Sequence, residues 1–256
     1  MNLFFEYIKY RWNAKGRHGI HSPFVYEILD KGFKKKPSKD FLIARKQLFT
    51  LYNSNQSVIE VEDFGAGSKY FDRKRKVNAI FKRSASRGKK SKLLYHLMAH
   101  FEPNNVLEMG TSLGIGTFSM AFDASNSKIV TVEACKNTQQ LAREQFDRLN
   151  LKNIETVNET FSDFLQQYSG PHFDLVFVDG HHDGHALLKY LDQLNEFTHD
   201  ETIFVLDDIR WSASMKLAFD SIVNSDDYHV TMDFFQVGIV ARRIGQTKEH
   251  FVLKGY

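Results

Sequence analysis

From residue 105 onward, short apolar runs alternate with longer segments whose apolar residues have helical spacing. The apolar runs are residues 105–109, 128–133, 154–158, 173–179 and 201–207. The helical segments are residues 115–123, 136–150, 160–168, 184–197 and 212–223. Strands separated by helices of this length form right-handed βαβ units, so the pattern predicts an α/β fold with a doubly wound sheet of five parallel strands.

The end of the chain departs from this alternation. Residues 228–235 and 237–242 are two strand-like runs joined only at Gln236. A connection this short cannot cross over to a parallel neighbour, so the two runs are predicted to form an antiparallel hairpin. A sheet that binds a dinucleotide would end with another parallel crossover, and the hairpin argues against that class.

The first part of the chain has a different character. The first 60 residues are predicted to be helical, and the segment 69–92 has eleven lysines and arginines against one aspartate. This segment is either a solvated basic linker or a surface for phosphate-bearing or nucleic-acid partners. We therefore divide the chain into a helical, basic N-terminal extension, residues 1–88, expected to be a lid or a homodimer contact, and a main domain, residues 89–256.

The cysteine content and the apolar runs bear on the compartment. Cys135 is the only cysteine, which excludes an internal disulfide framework and fits a reducing environment. No uninterrupted apolar run approaches the length of a transmembrane segment. The first 12 residues lack the apolar centre and the cleavage site of a secretory signal. The sequence predicts a cytoplasmic protein.

Two glycine-rich stretches are candidates for a loop that holds a cofactor. One ends a strand-like run at residues 58–68 as Asp-x-Gly-x-Gly, and the other has glycines at positions 110, 114 and 116. Glycines let the backbone approach a ligand closely. Only the second is followed by a helix and then by a strand ending in an acid, Glu133, which can accept hydrogen bonds from both hydroxyls of a ribose. The second loop is predicted to bind the cofactor, and the first to be a structural turn or a lid element.

The spacing Glu108-x-Gly110-x-x-x-Gly114 differs from the G-x-G-x-x-G of dinucleotide-binding proteins. It resembles the first motif of class I S-adenosylmethionine (SAM)-dependent methyltransferases, particularly the catechol- and caffeoyl-CoA-type O-methyltransferases. The resemblance extends over about residues 89–243 and includes residues 131–133, 173–179 and 205–211. It implies a Rossmann-like sheet of five parallel strands plus a hairpin. The residues expected to bind SAM are Glu108, Gly110, Thr111, Gly114, Gly116, Glu133, Ala134, Thr160, Phe161 and Asp179.

Three carboxylates follow the ends of two predicted strands, Asp179 the fourth strand and Asp207 and Asp208 the fifth. Like charges that meet at the ligand side of a parallel sheet need a cation or a proton between them, and oxygen ligands suit Mg²⁺ or Ca²⁺. In the resembling family, the matching positions hold a divalent cation that chelates two substrate oxygens, although the third position is often an amide there. The alternative is that Asp179 positions SAM or substrate and that Asp207 or Asp208 caps the following helix.

A general base is expected beside these acids. Catechol-type members place a lysine three residues after the first metal carboxylate, and this chain has His182 there. An imidazole near carboxylates can take a proton at neutral pH, so His182 and Asp179 are the predicted catalytic residues. The alternative is a transition-metal site formed by His181, His182 and His185, although their spacing matches no common zinc pattern.

The function predicted from these residues is methyl transfer from SAM to a hydroxyl of a small-molecule acceptor, assisted by a divalent cation. Two alternatives remain. One is a nucleic-acid methyltransferase that uses the segment 69–92, although Asp179 is followed by Gly-His-His rather than by the Pro-Pro-aromatic arrangement that stacks on a target base. The other is a non-catalytic protein that keeps the fold to bind a partner.

Overall fold

The computed structural model describes residues 2–62, 73–83 and 88–255. Its α-helices are α1 (Leu3–Asn13), α2 (Pro23–Glu27), α3 (Lys39–Ser54), α4 (Val77–Arg83), α5 (Lys89–Phe101), α6 (Ile115–Ala121), α7 (Lys136–Arg148), α8 (Phe161–Gln167), α9 (Gly184–Leu194) and α10 (Ala213–Asn224). Its strands are β1 (Val58–Glu60), β2 (Lys74–Lys76), β3 (Asn105–Met109), β4 (Lys128–Val132), β5 (Ile154–Val157), β6 (Phe173–Val178), β7 (Thr198–Leu206), β8 (Val230–Asp233), β9 (Gly238–Ala241) and β10 (Glu249–Val252). Within the described ranges, no helix has the length and apolar content needed to cross a bilayer.

One large sheet organises the described chain, with its strands in the order β10-β8-β9-β7-β6-β3-β4-β5. Strands β3 to β7 are parallel to one another, β9 is antiparallel to both β7 and β8, and β10 is parallel to β8. The chain moves outward from β3 through β4 and β5 and then returns to the other side of β3 with β6 and β7. This reversal leaves a crevice at the carboxyl ends of β3 and β6, which is where such sheets bind ligands.

The five predicted parallel strands and the hairpin are confirmed, with small differences at their ends. The largest difference is at β7, which begins at Thr198 rather than at residue 201. Strand β10 was not predicted, because its sequence Glu-His-Phe-Val has no apolar run. It is held by pairing with β8 and by a bridge between Lys15 and Leu253, and both of these contacts are distant in sequence.

The N-terminal helices pack on the sheet. Val25 of α2 shares a buried cluster with Leu93 of α5 and with residues of the sheet. Phe41 of α3 stacks on Phe118 of α6, with ring centroids 5.4 Å apart. Buried contacts therefore join the residues on the two sides of position 88. The division of the chain into two parts at that position stays a prediction.

Helix α1 lies across the hairpin of β8 and β9. The Tyr10 hydroxyl donates to the carbonyl oxygen of Leu253. The rings of Tyr7 and Tyr10 lie 5.0 and 5.2 Å from the ring of Phe235. These contacts place the start of α1 beside the loop that follows β7, and the remaining aromatic side chains of the helix are exposed: Phe4, Phe5 and Trp12.

Candidate active site

A cavity of about 370 Å³ opens at the carboxyl ends of the central strands. Gly110 after β3, Glu133 after β4 and Asp179 after β6 line it, so the crevice at the reversal of strand order is a real space in the molecule. Three more of the residues expected to bind SAM also line it: Ala134, Thr160 and Phe161. The other expected residues lie outside its lining: Glu108, Thr111, Gly114 and Gly116.

The loop between β3 and α6 is shaped by its glycines. Gly110 has a φ of +114°, and a Cβ at this position would lie 2.1 Å from the carbonyl oxygen of Asp179. Gly114 is the N-cap of α6 with a φ of +73°, and a Cβ there would lie 2.6 Å from the ring of Phe146. Gly116 is buried in the first turn of α6. These glycines let the loop pass close to β6 and α7, so its backbone forms one wall of the cavity.

Glu133 joins the end of β4 to this loop. Its carboxylate accepts hydrogen bonds from the backbone N–H of Ser112 at 2.8 Å and of Cys135 at 2.9 Å. The side chain of Asn158, after β5, donates to the carbonyl oxygens of Glu133 and Ala134 at 2.7 and 3.0 Å. Each carboxylate oxygen has two lone pairs, so Glu133 can keep its backbone bonds and also accept hydroxyls from a ligand in the cavity.

Glu108 lies beneath the loop in the core. Its Oε2 accepts hydrogen bonds from the hydroxyls of Thr117 and Thr131, the latter at 2.6 Å, and the Thr131 hydroxyl is also 2.6 Å from that of Thr111. Among the described residues, its Oε1 has no hydrogen-bond partner. Burial raises the pKa of Glu108 to about 8. Glu108 and Thr111 therefore support the loop from below.

Glu108→Gln is expected to change how the free energy of unfolding depends on pH. The unfolded chain releases this proton near the ordinary pKa of 4.5 and the folded chain near 8, so Glu108 lowers stability progressively as pH rises through that window. Glutamine keeps the shape without the titration, so the variant should gain on the order of 5 kcal/mol relative to the unaltered chain between the two ends of the window. Urea unfolding at several pH values measures this.

The matched control for that experiment is Glu144→Gln, a change on the exposed side of α7. We expect its unfolding curves to follow those of the unaltered chain at every pH. A constant difference between Glu108→Gln and the unaltered chain across the window would contradict the assignment of a buried, protonated carboxyl.

The three strand-end acids come together around a lysine. The ammonium of Lys90, on α5, contacts both carboxylate oxygens of Asp207 and lies 3.9 Å from Oδ1 of Asp208. One oxygen of Asp207 also accepts from the backbone N–H of Asp208 at 2.8 Å. Asp179 interacts electrostatically with both Lys90 and Asp207. The expected meeting of the three carboxylates is thus present in the structure, with an ammonium group among them.

The charges of this cluster are strongly perturbed. Burial raises the pKa of Asp207 well above its ordinary value, and Asp179 adds to the increase while Lys90 opposes it. Burial also raises the pKa of Asp208, against the effects of Lys90 and His182. Burial alone would lower the pKa of Lys90, but the three aspartates raise it overall. The lysine therefore stays an ammonium.

The three histidines after β6 point to different neighbours. Nδ1 of His181 lies 2.8 Å from the hydroxyl of Tyr190. Nδ1 of His182 lies 4.0 Å from Oδ2 of Asp208, and its ring centroid is 5.6 Å from that of Trp211. His185 is exposed on α9. Within the described residues, no group of three acidic, histidine or cysteine side chains is arranged to hold a metal ion.

A second cavity, of about 300 Å³, adjoins this cluster. Its lining residues come from the start of α1, the loop after β7 and the turn between β8 and β9: Leu3, Asp208, Arg210, Trp211, Phe235 and Gln236. Arg210 forms a two-pronged ion pair with Asp233 at 2.8 and 2.5 Å, which fixes it in the cavity wall. Asp179 lines the larger cavity and Asp208 the smaller one, and the two acids interact electrostatically.

The sequence patterns gave no indication of some residues of the larger cavity. Val61, Glu62, Arg75 and Ile80 line it, and they come from the hairpin of β1 and β2 and from α4. Residues 63–72, which include the first glycine-rich stretch, lie outside the described residues. The basic residues of the segment 69–92 lie in different environments. Arg75 lines the cavity, Lys90 contacts the acid cluster and Lys89 is exposed. Val61 and Glu62 belong to the stretch 58–68, for which the sequence predicted a structural turn or a lid element, whereas no pattern marked Arg75 or Ile80 as cavity residues.

Comparisons with known proteins agree with this geometry. Residues 107–209 match a family model described as a methyltransferase domain. The matched range contains the end of β3, all of β4 to β7, the glycine loop, Glu133 and the three strand-end acids. The chain therefore carries a methyltransferase domain, and the resemblance expected from its sequence is confirmed over these residues. Among curated proteins, no sequence matches the chain.

Solved structures share the fold at low sequence identity. The cofactor-bound protein Rv0187 from MTB superposes with a TM-score of 0.57 at 16% identity, covering 86% of this chain and 94% of that one. The O-methyltransferase from Bacillus cereus in complex with SAH gives 0.55 at 19% identity, with coverages of 81% and 92%. The O-methyltransferase TomG from Streptomyces achromogenes, involved in tomaymycin synthesis and solved with SAM, gives 0.51 at 15% identity, with coverages of 64% and 88%. These likenesses show the Rossmann-like methyltransferase fold.

Proposed function

We propose that this methyltransferase domain transfers the methyl group of SAM to a hydroxyl oxygen of a small, largely apolar acceptor. The observation that carries the proposal is the position of Glu133, held against the N–H of Ser112 at the edge of a cavity of about 370 Å³. Similar structures were solved with SAM or SAH, which supports the same ligand here.

The residues of the larger cavity fit the parts of SAM. The carboxylate of Glu133 would accept the two ribose hydroxyls, and the ring of Phe161 beside Thr160 would contact the adenine. The backbone at Gly110 and Ser112, which lines the cavity, would face the methionine part. When bound, SAM supplies a methyl group on a sulfonium, which leaves as a neutral thioether.

The smaller cavity is assigned to the acceptor. Leu3, Trp211 and Phe235 give it apolar walls, and Asp208 is its acidic end. An aromatic or otherwise flat apolar molecule that carries a hydroxyl fits this lining, since the rings would cover its faces and the hydroxyl would turn toward the acid. Leu3 belongs to the N-terminal extension, which supports the expected lid role of that part; a homodimer contact stays a prediction.

His182 is assigned as the general base. It lies beside Asp208 and Trp211, which line the smaller cavity, and directly follows His181, which lines the larger one. The acceptor hydroxyl would give its proton to the imidazole, its oxygen would form the bond to the methyl carbon, and the electron pair of the broken carbon–sulfur bond would go to sulfur. The positive charge of the sulfonium thus ends on the imidazolium, and Asp208 stabilises that charge.

Glu133→Ala is expected to weaken SAM binding by about 10- to 150-fold, since it removes hydrogen bonds to an ionised group that contribute about 1.5–3 kcal/mol. Titration calorimetry with SAM and with SAH measures this and also tests the proposal itself, which requires saturable binding of SAM by the unaltered chain. Glu155→Ala is the control, because that exposed glutamate on the neighbouring strand β5 pairs with Lys128 and does not line the larger cavity. Unchanged affinity in Glu133→Ala would reject its role, and no binding by the unaltered chain would reject the function.

A further inference from the structure

Lys90 is an unusual member of the basic segment 69–92. Its neighbours Lys89 and Lys92 on α5 are exposed, whereas Lys90 is only 5% exposed. Lysine is almost never buried unless it is paired, because removing an ammonium from water is costly. The reason for its burial therefore has to lie in what it contacts.

The contacts of Lys90 are the strand-end acids. Its ammonium contacts both oxygens of Asp207, whose side chain is fully buried, and lies 3.9 Å from Asp208. Asp179 is the third acid that acts on it. The lysine comes from α5, before the first strand of the large sheet, and Asp207 follows β7, so only the fold brings them together.

This arrangement does not fit a resident divalent cation. Mg²⁺ and Ca²⁺ bind carboxylate oxygens directly at about 2.0–2.6 Å and would need the same oxygens that Lys90 contacts. A second positive centre beside the ammonium would also be repelled inside the protein. The cation expected from the resemblance would have to displace the lysine from Asp207.

We propose that Lys90 takes the place of the divalent cation, so that this chain balances the charge of its strand-end acids with its own lysine. Lys90 is then a positioning residue: it holds Asp207, and through it the backbone of Asp208, so that Asp208 faces His182. The catalytic consequence is methyl transfer without a divalent cation, and this consequence rests on the proposed function. The charge balance itself is a property of the folded chain and is tested without turnover.

Direct titration with Mn²⁺, followed by electron paramagnetic resonance of the free ion, tests the proposal on the full chain with and without SAH. The unaltered chain is expected to bind no stoichiometric Mn²⁺. Lys90→Met, which keeps the aliphatic stem and removes the charge, is expected to bind one Mn²⁺ per chain at least about a hundredfold more tightly, because the repulsion between like charges is gone. Mn²⁺ should also raise the Tm of Lys90→Met and leave that of the unaltered chain unchanged.

Two further variants guard against a failure to fold. The first combines Lys90→Met with Asp207→Asn; it removes one charge of each sign and should fold without gaining a Mn²⁺ site. The second is Lys89→Met, on the exposed side of α5, which should behave like the unaltered chain in every titration. Stoichiometric Mn²⁺ binding by the unaltered chain would overturn the proposal whatever the variants do. A folded Lys90→Met that binds no Mn²⁺ would overturn it as well.

The failure of this inference is distinguishable from the failure of the proposed function. Calorimetry with SAM tests the function through Glu133, which does not belong to the acid cluster, whereas the Mn²⁺ titration reports on the carboxylates that Lys90 contacts. If SAM binds and an acceptor is methylated, the turnover of the unaltered chain should also be insensitive to EDTA. Loss of turnover in EDTA that is restored by added Mg²⁺ would contradict the assignment of Lys90.

Discussion

Gly110→Ala is expected to destabilise the folded chain by about 3–5 kcal/mol and to abolish measurable SAM binding. A Cβ at this position would lie 2.1 Å from the carbonyl oxygen and 2.8 Å from the carbonyl carbon of Asp179. Both are backbone atoms, and Asp179 follows a strand that pairs with β3, so relief requires the two central strands to separate at their carboxyl ends. Because this is also where the larger cavity opens, stability and binding should fall together.

Gly245→Ala is the matched control for that change. Gly245 also has a positive φ, +87°, but a Cβ there would meet nothing within 4 Å. It should therefore cost only the backbone strain of an L-residue in this region, about 1–2 kcal/mol, and leave SAM binding intact. Urea unfolding and calorimetry with SAH on both variants distinguish the steric overlap with Asp179, which only Gly110→Ala creates, from the backbone strain that both variants share. Equal losses in the two variants would show that contact with Asp179 is not what requires glycine at position 110.

His182→Ala is expected to lower kcat by about a hundred- to ten-thousandfold if the imidazole removes the acceptor proton. KM for SAM should change little, because His182 does not line the larger cavity. Steady-state kinetics with a phenolic acceptor and radiolabelled SAM measure kcat and KM separately.

His185→Ala is the control for the histidine-rich segment after β6, because His185 is exposed on α9 and belongs to neither cavity. Its kcat is expected to match that of the unaltered chain. A His182→Ala protein that keeps the kcat of the unaltered chain would assign the proton transfer to another group, such as Asp208, which lies beside His182. Similar losses in both histidine variants would instead indicate that the segment acts through its backbone.

Much of the domain could be predicted from local patterns. A central strand such as β6 is apolar at every position but Asp174 because both faces are covered, and this signal is present in a short window of sequence. The loop at Gly110 and the acid at position 133 follow from the same logic, because each is placed by the end of a strand. Parallel strands end at one edge of the sheet, so chain order alone brings such residues together.

The residues that sequence reasoning missed are those whose role depends on a distant partner. Arg75 and Ile80 reach the larger cavity only because α4 and the small hairpin fold over it. Strand β10 exists only because β8 and the end of α1 offer it an edge. Their own sequences have no apolar periodicity that would mark them, and no pattern within a window can encode a contact made across the whole chain.

The sequence by itself determined the order of strands and helices, the loop that begins at Gly110 and the acid that faces it, because hydrophobic periodicity and strand ends are local properties. Only the tertiary structure decided which charges meet. Lys90 looks solvated in the sequence, in the middle of a basic segment, yet it is 5% exposed and contacts Asp207. A buried charge is stabilised by the group it pairs with rather than by its neighbours in the sequence, and the partner of Lys90 lies 117 residues away in the chain.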